Sequence, residues 1–159
     1  MSTADFLQPV TAGLTANFIT ARAAGRHMTE QGSGVILPLD SGSAKGSPMM
    51  GGTGPADGAV DTFIRNLAAE IGPQGVRVLG VWTAGVPETF APELHGTNAT
   101  RDATGLSPQD IERIISQLAM LRRAPKLAHV AQTLTFLASE HAGSITGTFV
   151  NVTSGIFAS

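Results

Sequence analysis

The stretch from Val35 to Thr89 constrains this chain most, because a buried-strand pattern, a glycine-rich loop, an amphipathic helix and a second strand follow one another without a break. Val35-Ile36-Leu37-Pro38-Leu39 is a short apolar run that empties into Asp40-Ser41-Gly42-Ser43, the small polar cluster expected after a parallel strand. The loop extends to about Pro55. From Asp57 onward, Ala59, Val60, Phe63, Ile64, Leu67, Ala68 and Ile71 recur at helical spacing, and Gly72-Pro73 supplies a stop signal. Val76, Val78, Leu79 and Val81 then predict a second strand leading into Trp82-Thr83-Ala84-Gly85-Val86-Pro87-Glu88-Thr89. Two parallel strands joined by a helix make a βαβ unit. Ligands of open α/β sheets bind beyond the carboxyl ends of the strands, so Asp40–Pro55 and Trp82–Thr89 are expected to face one site.

The flanking segments extend this pattern on both sides. Phe6, Leu7, Val10, Leu14, Phe18 and Ile19 predict a long first helix beginning near Asp5, with Pro9 in its first turn and Gln31-Gly32-Ser33-Gly34 at its end. Gly13 lies inside that pattern and costs ~1 kcal/mol against alanine, which calls for a packing reason. The Thr-, Gly-, Pro- and Asn-rich segment from Phe90 to Leu106 is expected to be lid-like or disordered. Ser107-Pro108-Gln109-Asp110 predicts a helix start with a capping serine and an N1 proline, broken at Arg122-Arg123-Ala124-Pro125. A further helix spans Leu127 to Ser139, and Thr148 to Val152 reads as a third strand. About three strands and about five helices predict an α/β fold: a small, partial Rossmann-like (doubly wound) parallel sheet with helical crossovers, in one domain over residues 1–159.

Composition excludes several classes of function. Ten Lys+Arg against 12 Asp+Glu, with no basic cluster, points away from nucleic acid and from anionic membranes. No apolar run is long enough to span a bilayer. The absence of cysteine removes disulfides and thiolate metal sites and suits a cytoplasmic location. His27, His95, His129 and His141 lack the short spacing of a metal pair, so no metal site is expected. Charged residues make up only 14% of the chain, which leaves apolar surface for a partner.

Residues with chemical potential gather around the first loop. Ser41 and Ser43 follow a strand and either polarise a carbonyl or serve as ordinary turn residues. Asp57, just after Pro55, reads as a helix-capping or dipole-stabilising carboxylate, with catalysis as the alternative. Gly51-Gly52-Thr53-Gly54-Pro55 fits neither the P-loop nor the GxGxxG spacing and is expected to be a sharp turn.

Three blocks together carry a resemblance. Gly34-Val35-Ile36-Leu37-Pro38-Leu39-Asp40-Ser41, Gly58-Ala59-Val60-Asp61 and Leu67-Ala68-Ala69-Glu70-Ile71-Gly72-Pro73-Gln74-Gly75-Val76-Arg77-Val78 resemble the short-chain dehydrogenase/reductase family. Phe136-Leu137-Ala138-Ser139-Glu140 and Ile145-Thr146-Gly147-Thr148-Phe149-Val150-Asn151-Val152 are similar to its last helix and last strand. The match is to the C-terminal part of such an enzyme. The family's glycine-rich dinucleotide fingerprint and its Asn-Asn-Ala-Gly strand have no counterpart here. Carried across position by position, the family's catalytic Tyr-x-x-x-Lys falls on Thr53 and Asp57, its serine on Ser41 or Ser43, and its helix asparagine on Gly13. Its proline-glycine turn corresponds to Ala84-Gly85, the backbone donor to the nicotinamide carboxamide to Pro87, which has no N–H, and its threonine to Thr89. The chain contains no tyrosine.

The resemblance therefore implies three readings. In the first, the chain is a truncated, catalytically degenerate relative acting as a binding or structural subunit, with no nicotinamide cofactor of its own and with a homo-oligomeric assembly. In the second, it is half of an NAD- or NADP-dependent oxidoreductase completed by a partner chain carrying the N-terminal half. In the third, it is a small non-nicotinamide enzyme using the Asp40–Pro55 and Trp82–Thr89 loops, with Asp57, Asp40 or Glu88 as acid or base.

Overall fold

A computed structural model describes residues 1–48, 50–90 and 107–158. The segment from Ala91 to Leu106, which contains most of the expected lid and His95, lies outside the described residues. Helix α1 (Thr3–Gln31) is capped by Ser2, whose side chain accepts from the Asp5 N–H while Asp5 accepts in return from the Ser2 N–H. It ends at Gly32, which takes the left-handed conformation at φ 74°. Pro9 is therefore inside the helix and not in its first turn, because the capping box starts the helix earlier than the apolar pattern does.

Strand β1 (Gly34–Ile36) and β2 (Leu39–Asp40) form one extended run interrupted around Leu37-Pro38. Helix α2 (Thr53–Ile71) follows, then β3 (Val76–Val78) and β4 (Gly80–Trp82), a second run interrupted at Leu79. Helix α3 (Pro108–Leu118) begins with the expected Ser107–Asp110 capping box. It stops at Leu118, well before Pro125, because the next residues turn to bond the chain's C-terminal loop: the Met120 and Leu121 N–H groups donate to the carbonyls of Gly155 and Ser154. Helix α4 (Leu127–Ala138) and β5 (Phe149–Asn151) complete the described elements, four α-helices among the described residues rather than five.

Every strand pairing is parallel: β1 with β3, β2 with β4, and β4 with β5. The β3–β4 run is thus the middle strand, and helices cover both of its faces. Ile36, Val76, Val78, Trp82 and Phe149 pack on one side with Val60, Ile64 and Ala68 of α2 and Met28 of α1. Val35, Leu37, Leu79, Val81, Val150 and Val152 pack on the other with Leu134 and Leu137 of α4. This alternation is the period-2 signature of a sheet buried on both faces, and it makes the fold the doubly wound, Rossmann-like arrangement. Among the described residues the β1–β2 run pairs on one side only, and Leu39 in it is 56% exposed.

Two helix boundaries move relative to the sequence reading. Helix α2 begins at Thr53, so Gly51–Pro55 is the entry to a helix and not a free-standing turn; Gly52 is its N-cap. At the other end Gly72 keeps a right-handed conformation and continues into a short 3-10 turn, and the left-handed break falls at Gly75, φ 81°. Gly52 is needed for contact: a Cβ there would sit 1.9 Å from the Phe6 carbonyl oxygen, where α1 crosses the start of α2. At Gly13 a Cβ would meet nothing within 4 Å, so no packing among the described residues explains that glycine.

These two glycines give opposite expectations. Gly13→Ala should raise the unfolding free energy by roughly 0.5–1 kcal/mol by restricting the unfolded chain and favouring the helix. Gly52→Ala should lower it by ~1–3 kcal/mol, since α1 and α2 must move apart. Urea denaturation of both variants checks the pair, and a destabilised Gly13→Ala would contradict an open helix face at that position.

Candidate functional site

The β2 and β4 runs end side by side, and their loops bound a cavity of about 550 Å³. Asp40, Ser41 and Ser43 line one wall and Thr83, Ala84 and Gly85 the other, with apolar Ile115 and Leu118 of α3 closing over them. The two loops expected to face one site do so. Gly42, at φ 73°, lets the chain turn sharply against the Trp82 side chain, where an added Cβ would lie 3.2 Å from Trp82 Cβ.

Asp57 is only 8% exposed and stands inside α2, not at its start. Its Oδ2 accepts from the Ser41 hydroxyl and, at 2.8 Å, from the Ser43 N–H, and the Ser41 and Ser43 hydroxyls are themselves hydrogen-bonded. The capping reading is therefore corrected: because the helix starts at Thr53, the Asp57 carboxylate faces inward and ties the strand-end loop to α2. Thr53 lies one turn earlier, half-buried, with no side-chain hydrogen bond among the described residues. Ser41, Ser43 and Asp57 are thus brought together, Gly85 faces them across the cavity, and Thr53 and Thr89 do not join them.

Two further carboxylates complete the cluster. Asp40 receives the Ser41 N–H at 2.7 Å through Oδ1, but its Oδ2 is buried without a hydrogen-bond partner. Burial, first, and then the neighbouring Asp57 carboxylate push the Asp40 carboxyl up from 3.8 to about 7, with Asp61 adding a smaller push and the Ser41 N–H opposing. When both carboxylates are ionised neither can donate, whereas a proton on Asp40 can bridge to Asp57. Asp61, one turn beyond Asp57, accepts from Trp82 Nε1 at 3.0 Å and pairs with Arg65 at 3.4 Å. Lys45 Nζ sits 4.7 Å from the Trp82 ring centroid. The i, i+4 spacing of Asp57 and Asp61 within an otherwise apolar helix face was the available sequence signal for this second buried carboxylate, and the sequence reading passed over it.

The opposite wall is closely packed. Space beside Gly85 is filled: a Cβ there would lie 2.6 Å from Ile115 Cδ1 and 3.0 Å from Phe90 Cζ. Pro87 carries no N–H, and the Thr89 hydroxyl donates to the Val86 carbonyl at 2.8 Å. Glu88 accepts from the Leu127 N–H at 3.4 Å, serving the start of α4. Among the described residues no group of three or more His, Cys, Asp or Glu is placed to hold a metal, and no helix is long and apolar enough to cross a membrane.

The Asp40–Asp57 pair fixes a pH dependence. The folded chain holds the Asp40 proton up to about pH 7, whereas the unfolded chain releases it near 3.8. The folded state therefore binds more protons between these values, and stability falls as pH rises through that window. Asp40→Asn should flatten this slope and be more stable than the parent at about pH 8, while the two converge below about pH 4. Urea midpoints measured across pH decide it; an unchanged slope in the variant would show that Asp40 is not the group that titrates.

Comparison with known proteins bears on the fold and the family. A family profile described as enoyl-(acyl carrier protein) reductase matches residues 1–156. The short-chain reductase protein NovJ of Streptomyces niveus is 31% identical over 136 residues, covering 84% of this chain and 48% of that protein. An NADH-dependent enoyl-[acyl-carrier-protein] reductase of Synechocystis is 34% identical over 135 residues, with 85% and 48% covered. The chain thus spans about half the length of these curated relatives. Among solved structures, sorbitol-6-phosphate 2-dehydrogenase from Erwinia amylovora superposes with a TM-score of 0.84 at 23% identity, over all of this chain and 62% of that one, a likeness of fold. With matching blocks in order, a two-faced parallel sheet and a profile match over nearly its whole length, the chain belongs to the short-chain dehydrogenase/reductase family.

Proposed function

We propose that this chain is a non-redox member of its family, a binding or structural subunit that keeps the fold and its assembly surfaces. The observation that carries this reading is Asp57. The resemblance places it where the family has the lysine that lowers the phenol pKa, and here a buried carboxylate occupies the position with its Oδ2 already accepting from Ser41 and Ser43. A negative charge there raises the pKa of a neighbouring acid, and at Asp40 it adds to the larger effect of burial. With Thr53 in place of tyrosine, the site lacks both a proton donor of suitable acidity and the cation that would tune one.

Assembly is the second part of the proposal. A groove of about 360 Å³ runs between Phe18 and Arg22 of α1 and Phe63 and Leu67 of α2, and Phe18 and Ile19 are exposed beside it. A twofold pairing of these helices closes the groove with a second copy, and a specific interface needs at least roughly 1,000 Å². The one-sided pairing of β1–β2 among the described residues favours a second reading, in which another chain pairs along that edge and brings NAD or NADP with it.

Calorimetry of the isolated chain with NADH and with NADPH should give no binding in the micromolar range, and Thr53→Tyr combined with Asp57→Lys should give no NADPH turnover, because a restored proton donor has no positioned hydride donor. Micromolar binding by the unmodified chain would falsify the non-redox reading. Light scattering should return a dimer or larger assembly of the 16.3 kDa chain, shifted toward monomer by Phe18→Glu. A stable folded monomer at micromolar concentration would remove the assembly role.

A further inference from the structure

A second cavity, of about 590 Å³, opens beyond the carboxyl end of β5 and shares only Phe157 with the one bounded by Asp40 and Gly85. Its size lies within the range of small-molecule sites. Met120, Leu121, Val152 and Phe157 supply apolar lining, and among the described residues Arg123 and His129 are the titratable side chains that line it, with no carboxylate beside them. In a chain with more acidic than basic residues, a wall whose described titratable groups are both basic is a selective feature.

The wall is built rather than incidental. Met120 and Leu121 donate their N–H groups to Gly155 and Ser154 at 3.2 and 3.1 Å, which fastens the segment after α3 to the loop after β5. That loop is held from within: Asn151 Oδ1 accepts from the Thr153 hydroxyl at 2.6 Å, Asn151 Nδ2 donates to the Phe157 carbonyl at 2.7 Å, and Thr153 is fully buried. Gly155, at φ 80°, permits the close crossing, since a Cβ would fall 2.8 Å from Met120 Cβ. Consecutive arginines are then treated differently. Arg122, at φ 53°, turns to donate to the Gln117 carbonyl at the end of α3. Arg123 lines the cavity and has no ion pair among the described residues.

We propose that this cavity binds an oxyanion-headed amphiphile, a carboxylate or phosphate monoester on an apolar body, with Arg123 gripping the oxyanion and Met120, Leu121, Val152 and Phe157 covering the body. A guanidinium presents paired N–H donors matched to either head group, and His129 stands on the same wall as a second donor. The apolar lining makes the body contribute to affinity, so a bare inorganic anion is the weaker ligand. The site does not depend on the non-redox reading, because Arg123 and His129, which would hold the oxyanion, do not line the cavity that Asp40, Ser41 and Ser43 bound.

The test is calorimetry of the full chain with octanoate, octyl phosphate and octan-1-ol. At least one anion should bind with Kd below about 1 mM, and octan-1-ol at least about tenfold more weakly. Whichever anion binds assigns the head group. Arg123→Gln should weaken that anion at least about tenfold, Arg123→Lys by less, and Arg122→Gln by less than about twofold. Arg123→Lys keeps the charge, and an unchanged circular dichroism spectrum establishes that each variant is folded. Absence of binding by both anions, equal binding of the alcohol, or an Arg123→Gln Kd within twofold of the parent would each overturn the proposal.

Discussion

The middle strand has no face toward solvent, and the rest of the structure follows from that constraint. From Val76 to Trp82 every side chain is buried except Arg77, which is half-buried. A cation in that place needs acceptors supplied by the fold. Arg77 finds them in the carbonyls of Leu137 and Ser139, at 2.9 and 3.0 Å, and of Ile145 at 3.4 Å. One guanidinium thereby fixes the end of α4 and the approach to β5 against the sheet. Gly80 serves the opposite face: its missing side chain leaves room for the Phe149 ring, which a Cβ would meet at 2.1 Å, and that ring stacks on Trp82 at 5.5 Å. The strand ends are held from both faces, and the loops that leave them are positioned accordingly.

The carboxylate cluster inherits this rigidity. Burying Asp57 and Asp61 on one face of α2 is costly unless each finds donors. Asp57 finds the Ser41 hydroxyl and the Ser43 N–H, while Asp61 finds the Trp82 indole and Arg65. Asp40 is the member left short, with one oxygen unpartnered, and it carries the strain of the arrangement as a raised proton affinity. The same contacts that hold the loop in place thus keep a buried carboxylate at the strand ends.

Much of the fold was legible because periodicity and terminal chemistry are local. The apolar run Val76, Val78, Leu79 and Val81 named the second strand of the βαβ unit, Ser107 with Asp110 named a helix start, and Gly32 a helix end. The errors share a cause. Pro9 and Asp57 were each placed by assuming that a helix begins where its apolar pattern begins, whereas Ser2 and Gly52 start α1 and α2 earlier through capping and through the contact of the two helices. The convergence of Ser41, Ser43 and Asp57 was visible as three polar residues around one loop. Their hydrogen bonds were not, since they depend on which face of α2 turns inward. The Trp82–Asp61 pair and the Arg77 clamp join residues far apart in sequence, where no local pattern reports them.

Trp82 is the single tryptophan in a chain without tyrosine, so the near-ultraviolet emission of the protein has one source. That indole is held between a carboxylate, an ammonium and an aromatic ring, each a known modulator of its excited state. It also borders Gly42, the left-handed turn residue of the loop that carries Ser41 and Ser43. The molecule thus contains a built-in optical gauge at the seam between its sheet and its principal cavity. Repacking of that loop against the sheet will register there without any attached label.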